Sequence, residues 1–582
     1  ALSIEHDDGS VTVDLNPDLS KKDSDDDGFY ANLALKMSDG DLANIATELL
    51  DGIERDNDSR KEWLDTRAKG IQLLGLRIED PRGDTGLSTA PVEGMSTIRH
   101  PLLLEATIRF QATARGELLP AAGPVKVRND STMPPARPKE SQPTNLPMPP
   151  MVAPSPMAAG PQMSPPGNGG GGLPPPAPMP SPPPPMPAMM GHNGGPPMES
   201  YQSSEELATA LEKDMNHYLT AIATEYVPDT DRMLFYVGFG GDGFKKVYNC
   251  PLKRRPVSES VDAEDLIVSN ASTDLNNCGR ITHRIKMRKS ILKRMQIIGA
   301  YRDVELNTPT PPTTNAVDQA KEEISGHRES NKRPEDQDYT IYESYCELDL
   351  DEYAPKDFKG KGLPLPYRVT VDKDSRQVLS VIRNWREDDE NCLAKQFFVQ
   401  FPFIRGIGFY GIGLIHILGN TTNALTAMWR ESVDAGMFAN FPGFVYAAQL
   451  GRQLTNQFRV PPGGGIPLQI GAMQSIRDAL MPLPYKELSP SFAAMVTHIE
   501  ETGQRLGQIA EISIGEGKQD APVGTTLALI EQATKTIDAV HKRMHASQAE
   551  EFQLLKDRFR EDPEAFWRHN KKPTKPWKKE QF

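Results

Sequence analysis

Residues 131–200 hold 24 of the 52 prolines, in runs such as PPPAPMPSPPPP and GHNGGPP, together with the glycine run GNGGGG. Such a composition cannot bury enough apolar surface to repay the entropy of ordering it. The stretch reads as a disordered or polyproline-like insert, a tether or loop between folded parts. Its PxxP matches carry little information in a tract so rich in proline. Any core must therefore come from the remainder of the 582 residues, enough for several domains or one multi-segment protomer.

Before the insert the pattern is helical. Leu42, Ile45, Leu49 and Ile53 share one helical face. A second helix is expected from Asn57–Asp58 through Trp63 to Leu74. A third has Pro101 in its first turn and stops before Pro120. Core packing is the ordinary reading of all three. After the insert, Ser203 and Glu206 have capping-box spacing, and Leu207, Leu211, Met215, Leu219 and Ile222 form a helical stripe. The period then shortens. MLFYVGFGGDGFKKVYNCPL, DLIVS, YESYCELDL, LPYRVTV and RQVLSVI predict short strands. Between them, ITHRIKMRKSILKRMQIIG (281–299) predicts a basic amphipathic helix, whose charged face is ordinarily solvated.

A long helix with few charges and many small residues is expected over Gly411–Phe438, packed on several sides. GFVY, the turn PPGGG (461–465) and IPLQI predict a small β-element. Helices are expected at Met473–Leu480 and Pro490–Gln508, joined by the proline-rich link MPLPYKELSP (481–490). Leu527 through Phe559 have near-heptad spacing, which fits a coiled-coil seam or a helix packed in an oligomer.

Charge and motifs exclude more than they assign. The net charge of -14 argues against tight, sequence-reading duplex binding and is compatible with a surface that DNA slides past. Cys250, Cys278, Cys346 and Cys392 are far apart, which predicts reduced thiols of a cytosolic environment. The opening ALSIEHDDGS is polar and does not read as a secretory signal. Phe401–Leu418 is the most apolar stretch, but Arg405, His416 and several glycines make it a buried segment and not a membrane span.

GFGGDG (Gly238–Gly243) satisfies G-x-G-x-x-G, yet the FKKVYN immediately after it is strand-like. A turn between helix and strand explains it better than a phosphate cradle. DSDDDG (Asp23–Gly28) resembles a calcium loop but has Ala34 where the bidentate glutamate belongs. ELDLDE (Glu347–Glu352) is expected to be an exposed alternating strand face. No protease, hydrolase or P-loop signature is present, so neither a cofactor nor a catalytic residue is assigned.

Five segments in order resemble tailed-phage portal proteins, of the podovirus type. They are YANLALKM with IERDNDSRKEWLDTRAKGIQLLGL, STIRHPLLLEATIRFQATARGELLPAAGPVKV, DTDRMLFYVGFGGDGFKKVYNCPLKRRPVSESVDAEDLIVSNASTDLNNCGRITHRIKM, FYGIGLIHILGNTTNALTAMWRESVDAGMFANFPGFV and PPGGGIPLQI. The insert departs from that pattern. The resemblance implies a non-enzymatic α+β chain with wing, stem, clip and a helical crown-like C-terminus. It implies a ring of about twelve copies at one capsid vertex of the virion, assembled in the host bacterial cytoplasm. Double-stranded DNA would pass through its channel without sequence preference. The implied partners are the terminase large subunit, head–tail adaptors, and the major capsid and scaffolding proteins; no membrane is implied.

By order, the wing would take 1–130 and 201–410, the first stem helix 411–438 and the clip 439–471. Residues 472–508 would hold a second stem helix from Met473, a channel loop at 481–490 and a wing helix over 490–508. The crown-like region would be 509–582, its helix from 525. Clip candidates are Arg452, Arg459, Gly463, Gly464 and Gly465. Lys486, Tyr485 and Arg477 are the candidates to approach DNA. The alternatives are another structural virion protein, such as a head–tail adaptor, or a nucleotide-dependent enzyme using the 238–243 glycines.

Overall fold

The structure is a computed structural model. It describes residues 2–5, 11–14, 28–77, 95–127, 204–309, 315–326, 333, 336–353, 362–440, 444–446, 480–482, 488–507, 523–566, 574 and 577–579. The chain divides into two units. One joins Ala1–Lys126 with Glu212–Phe582; the other is Val127–Leu211. The whole of the proline-rich stretch 131–200 falls within the second unit and outside the described residues.

The first unit mixes helices with antiparallel sheets, an α+β arrangement. Strands β1 (Leu2–Glu5) and β2 (Val11–Asp14) pair with each other. Helix α1 (Asp39–Ser59) opens on Ser38, whose hydroxyl accepts the Asp41 N–H, and α2 (Lys61–Leu73) comes after Arg60. The break falls at Arg60 and not at Asn57–Asp58, which still belong to α1. Helix α3 (Leu102–Leu118) begins at Pro101, and α4 (Ser204–His217) comes after the insert.

Helix α5 (Tyr226–Gly240) overturns a strand expectation: MLFYVGFG is helical, and β3 starts only at Asp242 (Asp242–Cys250). Met233, Leu234 and Val237 are buried at helical spacing, a pattern hidden by the β-favouring aromatics around them. β3 is the middle strand of a three-stranded sheet between β4 (Arg255–Val261) and β10 (Phe398–Pro402).

A five-stranded meander holds β5 (Leu266–Val268), β6 (Arg280–Met287), β7 (Tyr339–Leu348), β8 (Leu365–Asp372) and β9 (Val378–Arg383). Here the expected basic helix is corrected. Residues 280–287 form β6, and only Lys289–Ile297 is helix, α6. Ile281 and Ile285 are four apart, a spacing that suits period 2 as well as period 3.6, so the helical reading had no power to choose. The acidic ELDLDE is also not one strand: β7 stops at Leu348, and Asp351–Tyr353 is a short 3-10 turn. Helix α7 (Ala316–Ser325) packs on α2.

Three of the apolar clusters among the described residues hold the helices and sheets of this unit together. Leu42, Ala46, Leu49 and Ile53 of α1 lie on Tyr367, Val369, Val381 and Trp385 of the meander. Phe244, Leu266, Tyr345, Phe398 and Tyr410 fill the space between the two sheets. The third cluster joins α3, α5 and β10 to helix α8 (Leu414–Asn440) and to Val540 and Met544 of helix α10 (Val523–Glu561). Burying one such side chain is worth about 1.5–3 kcal/mol. The C-terminal half of α10 therefore lies on its own chain's three-stranded sheet. From Val540 to Phe559 the apolar positions pack within the chain; the side chains of Leu527, Ile530, Thr534 and Ile537 lie outside the described residues. Phe559 and Phe566 close on Tyr218, and the Trp577 indole donates to Asp214 at 2.8 Å.

Candidate functional site

The functional candidate is the root and shaft of α8 with the segment beyond it. The root is a crossing of backbones. Gly241 ends α5 at φ +98°, the left-handed region that favours glycine. A Cβ there would lie 2.6 Å from the Gly411 carbonyl oxygen and the Gly413 nitrogen, so glycine is required on both strands of the crossing. The Phe403 N–H donates to the Gly241 carbonyl at 2.8 Å. The buried Asp242 carboxylate accepts the Gly411 N–H and the Gln400 amide. Burial pushes Asp242 up to about 6, against the lowering effect of those two donors. At the start of α8 the His416 ring accepts the Gly413 N–H at 3.1 Å, and burial lowers its pKa. The glycine motif and the FYGIG segment, separate signals in the sequence, are one joint in the fold.

This placement decides the nucleotide question. Gly238 and Gly240 lie inside α5, and Gly241 caps its C-terminus. A phosphate cradle needs free N–H groups at a helix N-terminus; a C-terminus presents carbonyl oxygens and partial negative charge. Among the described residues no group of three His, Cys, Asp or Glu could hold a metal ion. Asp23–Asp27 lie outside the described residues. The four cysteines carry no disulfide. No helix among the described residues is long and apolar enough to cross a membrane.

Beside the root, Arg67 is buried among Trp63, Tyr236 and Phe239, its guanidinium 5.4–5.7 Å from the ring centres. It lies 3.4 Å from Glu264, which also pairs with Lys321. Burial works to raise the Glu264 carboxyl; Arg67 and Lys321 outweigh it and hold it at about 2. A second buried pair, Lys245 with Glu551 at 2.9 Å, ties α10 to β3, with Thr230 and Ser258 completing its hydrogen bonds. No sequence pattern announces these pairs, because the partners stand tens to hundreds of positions apart.

The shaft is α8. Leu414, Leu418, Thr422 and Leu425 are buried, whereas Ala424, Ala427, Val433, Met437 and Phe438 are exposed. Two of its three charges are spoken for: Arg430 donates to the carbonyls of Ile98 and Thr97, and Asp434 accepts the Ser96 N–H at 2.7 Å. Helix α9 (Pro490–Leu506), capped by Ser489, lies against α8. His100 joins the two: its ring is 4.3 Å from that of Trp429 and 3.6 Å from the Glu500 carboxylate. Beyond α8, β11 (Phe444–Tyr446) pairs antiparallel with β12 (Leu480–Pro482). GFVY thus pairs with Leu480–Pro482, where Leu480 is strand and not helix as expected; IPLQI lies outside the described residues. The chain leaves and returns through this two-stranded neck. Arg452, Arg459, Gly463, Gly464, Gly465 and Arg477 lie between its strands in sequence, and Tyr485 and Lys486 just after; all eight fall outside the described residues.

A family model described as the phage SU10 portal protein matches residues 198–515, more than half of the chain. The chain belongs to that family. The matched span runs through both sheets, the glycine joint, α8, the neck and α9 of this phage portal protein. The family is structural and not enzymatic. No curated protein matches the portal chain.

Proposed function

We propose that this chain is the subunit of a closed ring of about twelve copies at one vertex of a tailed-phage capsid. Double-stranded DNA enters and leaves through the channel of that ring. The observation that carries the reading is the family match over 198–515, continuous across α8, the neck and α9. Exposed apolar side chains support assembly: among the described residues, Val433 and Met437 on α8, and Met495 and Leu506 on α9, are exposed. The acidic net charge of -14 suits a conduit, because each neutralised phosphate would add a salt-dependent grip.

In this reading the two sheets belong to the wing, α8 is the first stem helix, and the excursion beyond the neck is the clip, with Arg452, Arg459 and Gly463–Gly465. The clip would receive the terminase large subunit and later the head–tail adaptors. The wing side would meet the major capsid and scaffolding proteins. The link at 481–490 would supply the channel loop, with Lys486, Tyr485 and Arg477 nearest DNA. A ring of single lysines would centre the duplex without holding it. End-on negative-stain images of the purified chain test the reading: rings with a central hole are expected, and isolated compact particles would refute it. Lys486→Glu tests the loop separately. It is expected to leave rings intact and to change the amount of DNA packaged or retained. Unchanged packaging and retention at low and high salt would remove the loop from the channel.

A further inference from the structure

A cavity of about 450 Å³ opens beside α1, among residues of α1, β6, β7 and the β8–β9 turn. Its charged lining is Glu54, Arg60, Arg284, Lys286, Lys373 and Arg376: five cations and one carboxylate. Two of the cations are deeply placed. Arg60 is 2% exposed, and its hydrogen bonds all go to neutral oxygens: the Asn57 amide, the Tyr410 hydroxyl and the carbonyls of Ala263, Glu264 and Leu266. Arg284 is 10% exposed. Its Nε and Nη1 reach Asp265 and Asp318 at 2.6 and 3.0 Å, and its Nη2 has no partner. A buried guanidinium donor left without a partner is costly, which favours an acceptor that could reach it.

The rim repeats the theme. Lys286 and Arg376 are exposed. Arg376 holds φ +54°, a left-handed conformation where glycine or asparagine would be relaxed. The segment Arg280–Arg302, which supplies Arg284 and Lys286, carries eight Lys and Arg and no Asp or Glu, in a chain whose net charge is -14.

We propose that this cavity binds a phosphoryl anion. Guanidinium forks and ammonium groups approach from different strands and a turn, an arrangement that suits a tetrahedral oxyanion better than a planar carboxylate with two oxygens. The phosphoryl group can come from a free phosphate compound or from a nucleic-acid strand; the chemistry of capture is the same. No glycine of the joint lines the cavity.

The test is calorimetric titration of the full-length chain with inorganic phosphate at fixed ionic strength, with acetate as the control anion. Saturable binding of phosphate and not of acetate is expected. The doubly substituted Lys286→Gln/Arg376→Gln chain should bind about tenfold more weakly or not at all. Both side chains are exposed, so its circular dichroism and melting should match the parent; Lys286→Gln alone, expected to weaken binding less, provides a second variant. No saturable binding by the parent, equal binding of acetate, or unchanged affinity in the double variant would overturn the proposal. Competition then separates the sources. Displacement of phosphate by a short DNA duplex assigns the ligand to nucleic acid, and its absence assigns the ligand to a free phosphate compound.

Discussion

The sheet body and the α8–α9 pair differ in how their apolar residues are grouped. In the body, α1 lies on the meander, the two sheets enclose Phe244 and Tyr345, and the C-terminal half of α10 covers the smaller sheet, with single apolar side chains such as Ile297, Leu393 and Ile407 left exposed. Several charged groups there are buried in pairs, such as Lys245 with Glu551, whereas Arg60 is buried on neutral oxygens. Along α8 the apolar burial stops part-way. Leu425 is fully buried, and Val433, Met437 and Phe438 further on are not. In the proposed ring, that exposed part of α8 is the surface offered to another copy.

The largest effect belongs to the body. Glu551→Ala strands the Lys245 ammonium, which is 0% exposed, and should cost about 3–5 kcal/mol in denaturant unfolding. Replacing both partners with Lys245→Met/Glu551→Leu should recover most of that loss. A loss below about 1 kcal/mol for Glu551→Ala would show that the pair does not close the body.

A neighbouring pair of substitutions sharpens the contrast on α8. Leu425→Asp buries an unpaired charge within the chain and should cost a few kcal/mol. Ala424→Asp, one position away on the exposed side, should leave the melting of the single chain unchanged and weaken assembly. Equal effects of the two on folding would erase the distinction.

The glycine joint comes next. Gly241→Ala must hold φ +98° and place a Cβ 2.6 Å from backbone atoms, for a loss of about 1–3 kcal/mol in thermal unfolding. A variant that melts with the parent would contradict the close crossing.

The smallest effect is one of pH. Burial raises Asp242 from 3.8 to about 6 in the folded chain, so the folded state holds the proton more tightly than the unfolded one. Between these values the folded state binds more protons, and this group's contribution to stability falls as pH rises from about 4 to about 6. Asp242→Asn should remove that slope from the difference between the two pH profiles. Parallel profiles across the window would assign Asp242 an ordinary pKa.

Much of the fold was legible because burial obeys simple periods. The Leu42–Ile53 stripe and the Ile267, Tyr345, Val369 and Val381 strands are recovered where expected. The reading failed where two periods coincide, as at Ile281 and Ile285, or where aromatics of a buried helix mimic a strand, as in MLFYVGFG. The site was legible only as a long helix followed by a proline-rich return. The joint between Gly241 and Gly411, the Arg67–Glu264–Lys321 group and the neck strands depend on contacts between distant positions, which no local pattern encodes.

The mass of the purified chain in solution tests the central claim most directly. Light scattering should find a species of about 770 kDa, about twelve times the 64.3 kDa chain, and Ala424→Asp should shift material toward the single chain. A parent that stays at 64.3 kDa, or forms only a small oligomer at every concentration and salt condition tried, would contradict the account.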